Sequence, residues 1–238
     1  MKTFATALLA FIIAAPAVAA DEAKPWKDAA ELSYVKTTGN SKNSTLSAKN
    51  LFNYDWTKAA LELAAGGLGS NSGGTTTAEQ YNASEKVSFK FTGRNYAFEK
   101  VGWEKNRFAN IQDRWDAGLG LGRHITDRPN DQLFAEAGAG YIWEDRRTSE
   151  NEAFGTYRLY AKYTRTLSPT ANASQDAEWV GNLDDSDGYR VNTETALIAS
   201  INSHMSLKAS YVWKLVNKPG AGFTRKDTIT GVSLIINY

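Results

Sequence analysis

Hydrophobic and polar residues alternate along most of the chain beyond residue 30. In "TLSAKNLFNYDW", Leu46, Ala48, Phe52, Tyr54 and Trp56 share one face, and Ser47, Lys49, Asn53 and Asp55 share the other. In "DRWDAGLGLGRHI", Trp115, Ala117, Leu119, Leu121 and Ile125 oppose Asp116, Gly118, Gly120, Gly122 and His124. "LFAEAGAGYIW", "TYRLYAKYTRTL", "YRVNTETALIASI" and "SLKASYVWKL" read the same way. The chain closes on "TITGVSLIINY", with Thr230, Val232, Leu234, Ile236 and Tyr238 in one stripe. Period 2 over such lengths predicts β-strands and does not fit helices. About twelve segments follow one another, starting near residues 30, 44, 58, 82, 95, 111, 131, 155, 172, 188, 206 and 227. Most run roughly 10–14 residues, against ~5–6 for strands of soluble proteins and ~9–11 for a tilted strand crossing a bilayer. The pattern is weakest in the fifth segment, where "YAFEKVGWEK" changes face near Lys100, and in the ninth, "NASQDAEWVG".

The links alternate in length. "DWTK", "TGRN", "TDRPND", "SPTA" and "NSHMS" are short, while "GGLGSNSGGTTTAEQ", "DRRTSENEA", "NLDDSDG" and "NKPGAGFTRKD" are longer. Short periplasmic turns and longer outer loops are the layout of an up-and-down membrane barrel with an even strand number and both termini inside. Tyr54, Trp56, Trp115, Tyr141, Trp143, Tyr189, Tyr211 and Trp213 lie towards segment ends on the apolar face, as interfacial girdles do. The opposite face carries Lys49, Glu62, Lys86, Lys90, Asp116, Glu136, Arg158, Lys162, Arg190, Glu194 and Lys208, which are expected to line the lumen. Glycines at 118–122 and 138–140 suit the curvature and close packing of a closing sheet. The expectation is an all-β, transmembrane, antiparallel up-and-down β-barrel of about twelve strands, with a soluble periplasmic β protein as the alternative. In lipid no edge strand can stay unpaired, so the last strand must meet the first, "AELSYVK".

Composition adds limits. Lys2, the apolar "FATALLAFIIAA" and the small residues of "APAVAA" predict a signal peptide over residues 1–20, cleaved after Ala19 or Ala20, ahead of a barrel domain at 21–238. There is no cysteine, so disulfide and thiolate chemistry are excluded. Two histidines make a histidine-based metal site unexpected. A net charge of +1 gives no electrostatic case for nucleic acid. Mean hydropathy of −0.44 does not separate soluble from membrane barrel, because every second residue of a barrel faces its lumen.

Three stretches together resemble one family. "AELSYVKTTGNSKNSTLSAKN", with Thr38-Gly39-Asn40, is similar to its first hairpin; "NLDDSDGYRVNTETAL" to a late acidic loop; "TRKDTITGVSLIINY" to its last strand. The family is that of salt-induced outer-membrane proteins (YdiY-like, a domain-of-unknown-function group), and the resemblance covers essentially all of the mature chain. Tyr238 departs from the commoner phenylalanine. The resemblance implies an outer-membrane barrel and induction by salt, and brings no substrate or catalytic residue. By the same route, Val232, Leu234, Ile236 and Tyr238 resemble the signal read by the outer-membrane assembly machinery.

Chemistry is sparse. "NSHMS" offers His204 with Ser203 and Ser206, but a nucleophile needs an oriented base, and this stretch falls in a periplasmic turn. His124 is expected inside the lumen as a hydrogen-bonding group. In "DDSDG", Asp185, Asp187, Gly188 and Glu194 match some calcium-loop offsets, yet Leu183 stands where the first acidic ligand belongs. Neither site is expected, nor any cofactor or enzymatic activity. Two readings stay open: a small solute or ion channel associated with salt stress, and a closed barrel acting as a structural or loop-mediated binding element. An outer-membrane hydrolase is the remaining alternative. The basic excess among the lumen residues points to anions if a path is open, and "GGLGSNSGGTTTAEQ" is the loop best placed to fold inward as a constriction. Expected partners are outer-membrane lipid, lipopolysaccharide and the assembly machinery, with the chain a monomer in a Gram-negative outer membrane.

Overall fold

The computed structural model describes residues 24–37, 43–220 and 222–238. The expected signal peptide and the Thr38-Gly39-Asn40 turn lie outside the described residues. Twelve strands follow in order: β1 (Trp26–Thr37), β2 (Asn43–Asp55), β3 (Ala59–Ser72), β4 (Thr75–Lys90), β5 (Asn95–Asn106), β6 (Ile111–Arg128), β7 (Asp131–Arg146), β8 (Glu152–Ser168), β9 (Ala171–Asn182), β10 (Tyr189–Ser200), β11 (Met205–Val216) and β12 (Lys226–Asn237). Each pairs antiparallel with its neighbours in sequence, and β12 returns to β1, closing the barrel. The closing seam is short, with Ala29–Leu32 facing Leu234–Asn237. Ser33 Oγ extends it by donating to the Val232 carbonyl at 2.7 Å.

The outward face is what alternation predicts. Leu119 and Leu121 are 70% and 62% exposed, and Leu32, Leu63, Leu159, Leu197, Leu207 and Val232 are also exposed. Such a belt is unfavourable in water and suited to lipid. Aromatic rings rim it. At the end opposite the termini, the loop end, Trp103, Trp115 and Trp143 are consecutive cross-strand partners. Trp179 stacks on Tyr189 there at 4.4 Å. At the terminal end Trp26 stacks on Phe52, and Tyr54 packs on Trp56. Tyr238 reaches this end, its N–H donating to the Asp28 carbonyl at 3.0 Å.

Two departures matter for the interior. The stretch "GGLGSNSGGTTTAEQ" is not an inward loop. It is β3 and β4 continued, joined by Gly73 and Gly74 with φ of +59° and +90°. Two consecutive left-handed glycines make the tight two-residue hairpin turn that follows strand twist, so the expected constriction loop does not exist. The second departure is β5. Its inward face carries Tyr96, Phe98, Lys100 and Glu104, while Glu99 points outwards and is exposed. On β4, Glu85 is also outward and exposed, opposite Val101. The apolar and polar faces of β5 are therefore partly exchanged, which is why its alternation is hard to read.

Candidate functional site

Strand register places Lys49, Glu62, Lys86, Lys90, Asp116, Glu136, Arg158, Lys162, Arg190, Glu194 and Lys208 on the face turned away from the apolar belt. The closed sheet makes that face the barrel interior. Glu136, 4% exposed, is the centre of the tightest group. It accepts from Lys86, from Tyr96 Oη at 2.8 Å and from Arg158 Nη1 at 2.8 Å. Arg158 Nε continues to Glu178 at 2.6 Å, and Lys100 Nζ approaches Glu178 at 3.7 Å. This chain of charges runs from β4 and β5 across the lumen to β7, β8 and β9. Burial is tolerable because each charge faces opposite charge and hydrogen bonds.

A second group lies on the opposite wall. Lys208 Nζ bonds Glu194 at 2.5 Å and Glu31 at 3.0 Å, and Ser233 Oγ also donates to Glu31 at 2.6 Å. Lys49 stands 4.0 Å from Glu194. Lys162 and Asp176 are direct cross-strand partners, Lys90 pairs with Asp55 at the terminal end, and Asp116 folds its carboxylate over Gly102. Along β2 and β3 the interior is less filled. The Lys49 side chain is 46% exposed and Glu62 is exposed, although both point inwards.

Aromatic rings complete the neck. Tyr96, His124, Phe134 and Tyr160 form a row on four adjacent strands, with centroid separations of 5.6, 5.9 and 5.7 Å. His124, expected as a hydrogen-bonding lumen group, sits within this row. Tyr96 lies over Gly122, where any Cβ would collide with its ring. Phe98 lies over Gly120 in the same way. The inward glycines of β6 and β7 thus make room for side chains from β5.

The neck separates two spaces. Towards the terminal end is a vestibule of about 610 Å³ that includes Asp55, Lys86, Lys90, His124 and Phe134. Towards the loop end is a chamber of about 300 Å³, walled by Lys100, Glu104, Arg114, Asp116, Arg190, Asn192 and Lys214. Residues 218–220 and 223–225 lean over this chamber, with Pro219, Gly220, Phe223 and Arg225 among its walls. Asn110, buried at φ 64°, supports that end: its Oδ1 accepts from Thr148 N (3.0 Å) and Oγ1 (2.8 Å), and its Nδ2 donates to Ser149 Oγ (3.1 Å).

Sequence reasoning missed Glu31, Lys100, Glu104, Arg114, Glu144, Asp176, Glu178 and Lys214 among the inward charges. Arg114 bridges Glu104, at 3.1 Å, and Glu144. The acidic residues missed outnumber the basic ones, so the expected basic excess narrows. Strict continuation of the alternation through β9 would have found Asp176 and Glu178; the swapped faces of β5 hid Lys100 and Glu104. Of the surface motifs, Ser203 Oγ lies 2.8 Å from His204 Nδ1 in an exposed turn at the terminal end, far along the chain from the neck. In the acidic loop Lys218 Nζ bonds Asp185 at 2.6 Å. That hydrogen bond holds the Asp185 carboxyl below the usual carboxylate range and raises Lys218. Glu194 is engaged inside the barrel, apart from this loop. Among the described residues no cluster of three or more metal-ligating side chains occurs.

Residues 30–238 match the family described as "Protein of unknown function, DUF481". A relative, "Uncharacterized protein YdiY" of Escherichia coli (strain K12), is 24% identical over 188 residues, 79% of this chain and 73% of its own. Among solved structures, an outer-membrane channel from Pseudomonas putida F1 superposes with a TM-score of 0.53 at 10% identity, covering 92% of this chain and 97% of its own. The translocator domain of the autotransporter NalP from Neisseria meningitidis gives 0.51 at 12% identity, over 91% and 89%. The NanC porin gives 0.50 at 10%, over 89% and 97%. At these identities the likeness is one of fold: a closed, twelve-stranded antiparallel barrel of the outer-membrane kind.

Proposed function

This chain belongs to the DUF481 family of proteins of unknown function, and from that premise and its own interior we propose that it is a small channel of the outer membrane, passing small polar solutes or ions. The observation that carries the reading is the exposure of Lys49 and Glu62. Side chains that point into a closed barrel and remain exposed are exposed to lumen water. The wet side of the lumen lies along β2 and β3, beside a neck in which Lys86, Glu136 and Arg158 are packed against Tyr96. A barrel of twelve strands lies between side-chain-filled small barrels and open ~16–18-strand porins, so side chains alone narrow it.

The apolar belt and its aromatic rims support insertion among outer-membrane lipid and lipopolysaccharide, with the terminal end periplasmic. The stripe of Val232, Leu234, Ile236 and Tyr238 supports recognition by the assembly machinery, and the chain is proposed to act as a monomer. The salt-stress association implied by family resemblance belongs to the same proposal; protein abundance in outer-membrane fractions at low and high salt tests it. The ion pairs that span the neck favour a second reading, a closed barrel whose loops do the work. Planar-bilayer conductance of the refolded protein decides: reproducible steps support the channel, and a silent bilayer with heat-modifiable, folded protein supports the closed barrel.

A further inference from the structure

Most arginines of the barrel interior are neutralised. Arg114 is held by Glu104 and Glu144, Arg146 by Glu144 and Glu152, and Arg158 by Glu136 and Glu178. Arg190 is different. It projects into the loop-end chamber from β10 with Val180 and Val216 as its cross-strand partners. Among the described residues no side chain forms a hydrogen bond or an ion pair with it. A guanidinium cannot shed its charge and carries five donors in a fixed fork. On the next strand, Lys214 is the cross-strand partner of Asn192 and so lies diagonal to Arg190 on the same wall. Its one side-chain hydrogen bond among the described residues is a long one, 3.4 Å to Gln80 Oε1. The nearby carboxylates Glu104 and Glu178 are already bonded to Arg114 and Arg158.

We propose that the loop-end chamber is a binding site for a small solute carrying an oxyanion, a carboxylate or a phosphate, with Arg190 as the anchoring cation and Lys214 beside it. This rests on the orientation proposed above, which puts the loop end outside the cell, but does not require conduction through the neck. The fork of Arg190 matches two oxygens of one oxyanion. Gln80 and Asn192 supply amide groups for a polar remainder of the solute. At about 300 Å³ the chamber is at the small end of ligand sites. Asp116 also lines the chamber, from β6, near enough to act on Arg190, and makes no ion pair among the described residues. Its charge opposes an anion, so the site binds more tightly without it.

The test is calorimetric titration of the refolded full-length barrel in detergent micelles with gluconate, with mannitol as the uncharged polyol and inorganic phosphate as competitor. Gluconate is expected to bind and mannitol not. Arg190→Gln should weaken gluconate at least tenfold, Arg190→Lys should retain part of the affinity, and Lys214→Gln should weaken it on its own. Asp116→Asn should tighten it. Competition by phosphate assigns the site to oxyanions in general; its absence restricts it to carboxylates. Equal binding of mannitol, unchanged binding in both Arg190→Gln and Lys214→Gln, or weaker binding in Asp116→Asn overturns the proposal, as does a wild-type barrel that binds no gluconate. Heat-modifiable migration of each variant separates lost binding from lost folding. Gluconate binding by a barrel that is silent in bilayers keeps the site and removes the channel; conductance without gluconate binding does the reverse.

Discussion

Replacement of Glu136 by glutamine isolates the neck. The change keeps shape and hydrogen-bonding atoms and removes one charge. Lys86 loses its carboxylate partner, while Arg158 keeps Glu178 at 2.6 Å. Removing one partner of a buried pair typically costs ~3–5 kcal/mol, because the other charge stays buried and uncompensated. Lys86 is not fully buried, with its side chain 14% exposed on the edge of the vestibule, so water offsets part of this. The expected cost is about 2–4 kcal/mol, roughly a hundredfold in the folding equilibrium at its middle. Urea titration of the barrel folded into lipid vesicles measures it. Adding Lys86→Met to Glu136→Gln should recover much of the loss, since no orphan charge then remains, and the cycle should show coupling of at least about 1 kcal/mol. The same single variant should raise the conductance of an open channel, because Lys86 is freed from the neck. A Glu136→Gln barrel within about 0.5 kcal/mol of the wild type, with unchanged conductance, would refute the reasoning: the charges would then be hydrated individually, and no neck would be held by them.

Three further outcomes are expected. Glu99→Val, on the lipid-facing side of β5, should stabilise the folded barrel by about 1–2 kcal/mol in the same urea assay, because a carboxylate on that face is unfavourable. Asn110→Ala should remove the bonds to Thr148 and Ser149, lower stability by about 1–3 kcal/mol, and speed proteolysis next to Gly220, which lies against it. The Asp185–Lys218 tie has a definite pH sense. Since the folded Asp185 carboxyl titrates below its ordinary value, the tie contributes at pH values above that ordinary value and is lost as pH falls through the lowered one. Carboxyl NMR shifts should therefore show Asp185 returning towards about 3.9 in Lys218→Gln.

The outward half of this architecture is legible because lipid demands one chemistry everywhere, and β6 and β7 alternate cleanly through their centres, whereas in β2 Asn50 takes the outward face and Leu51 the inward one. The starts of most strands fall close to where alternation begins. The failure at β4 has a local cause. Gly, Ser, Asn and Thr between residues 66 and 80 read as a loop, but paired glycines at 73 and 74 permit a two-residue turn, and polar strands can continue past the membrane. The interior is harder, because there the chain has no single solvent to satisfy. Tyr96 and Phe98 point inwards because their cross-strand partners on β6, Gly122 and Gly120, leave space for them, a complementarity that periodicity within one segment does not encode. Pairings such as Lys86 with Glu136, separated by fifty residues, depend on closure of the whole sheet.

A closed barrel is also a hoop, and a hoop under load parts at its weakest joint. Eleven of the twelve joints lie between strands that follow one another in the chain, and the twelfth, the β1–β12 seam, is a short ladder between Ala29–Leu32 and Leu234–Asn237. Tension on the C-terminus would be borne first by that ladder and by the Ser33–Val232 bond beyond it. Pulling Tyr238 away from the bilayer should therefore peel β12 before any other strand yields, leaving a force trace whose first rupture is the smallest.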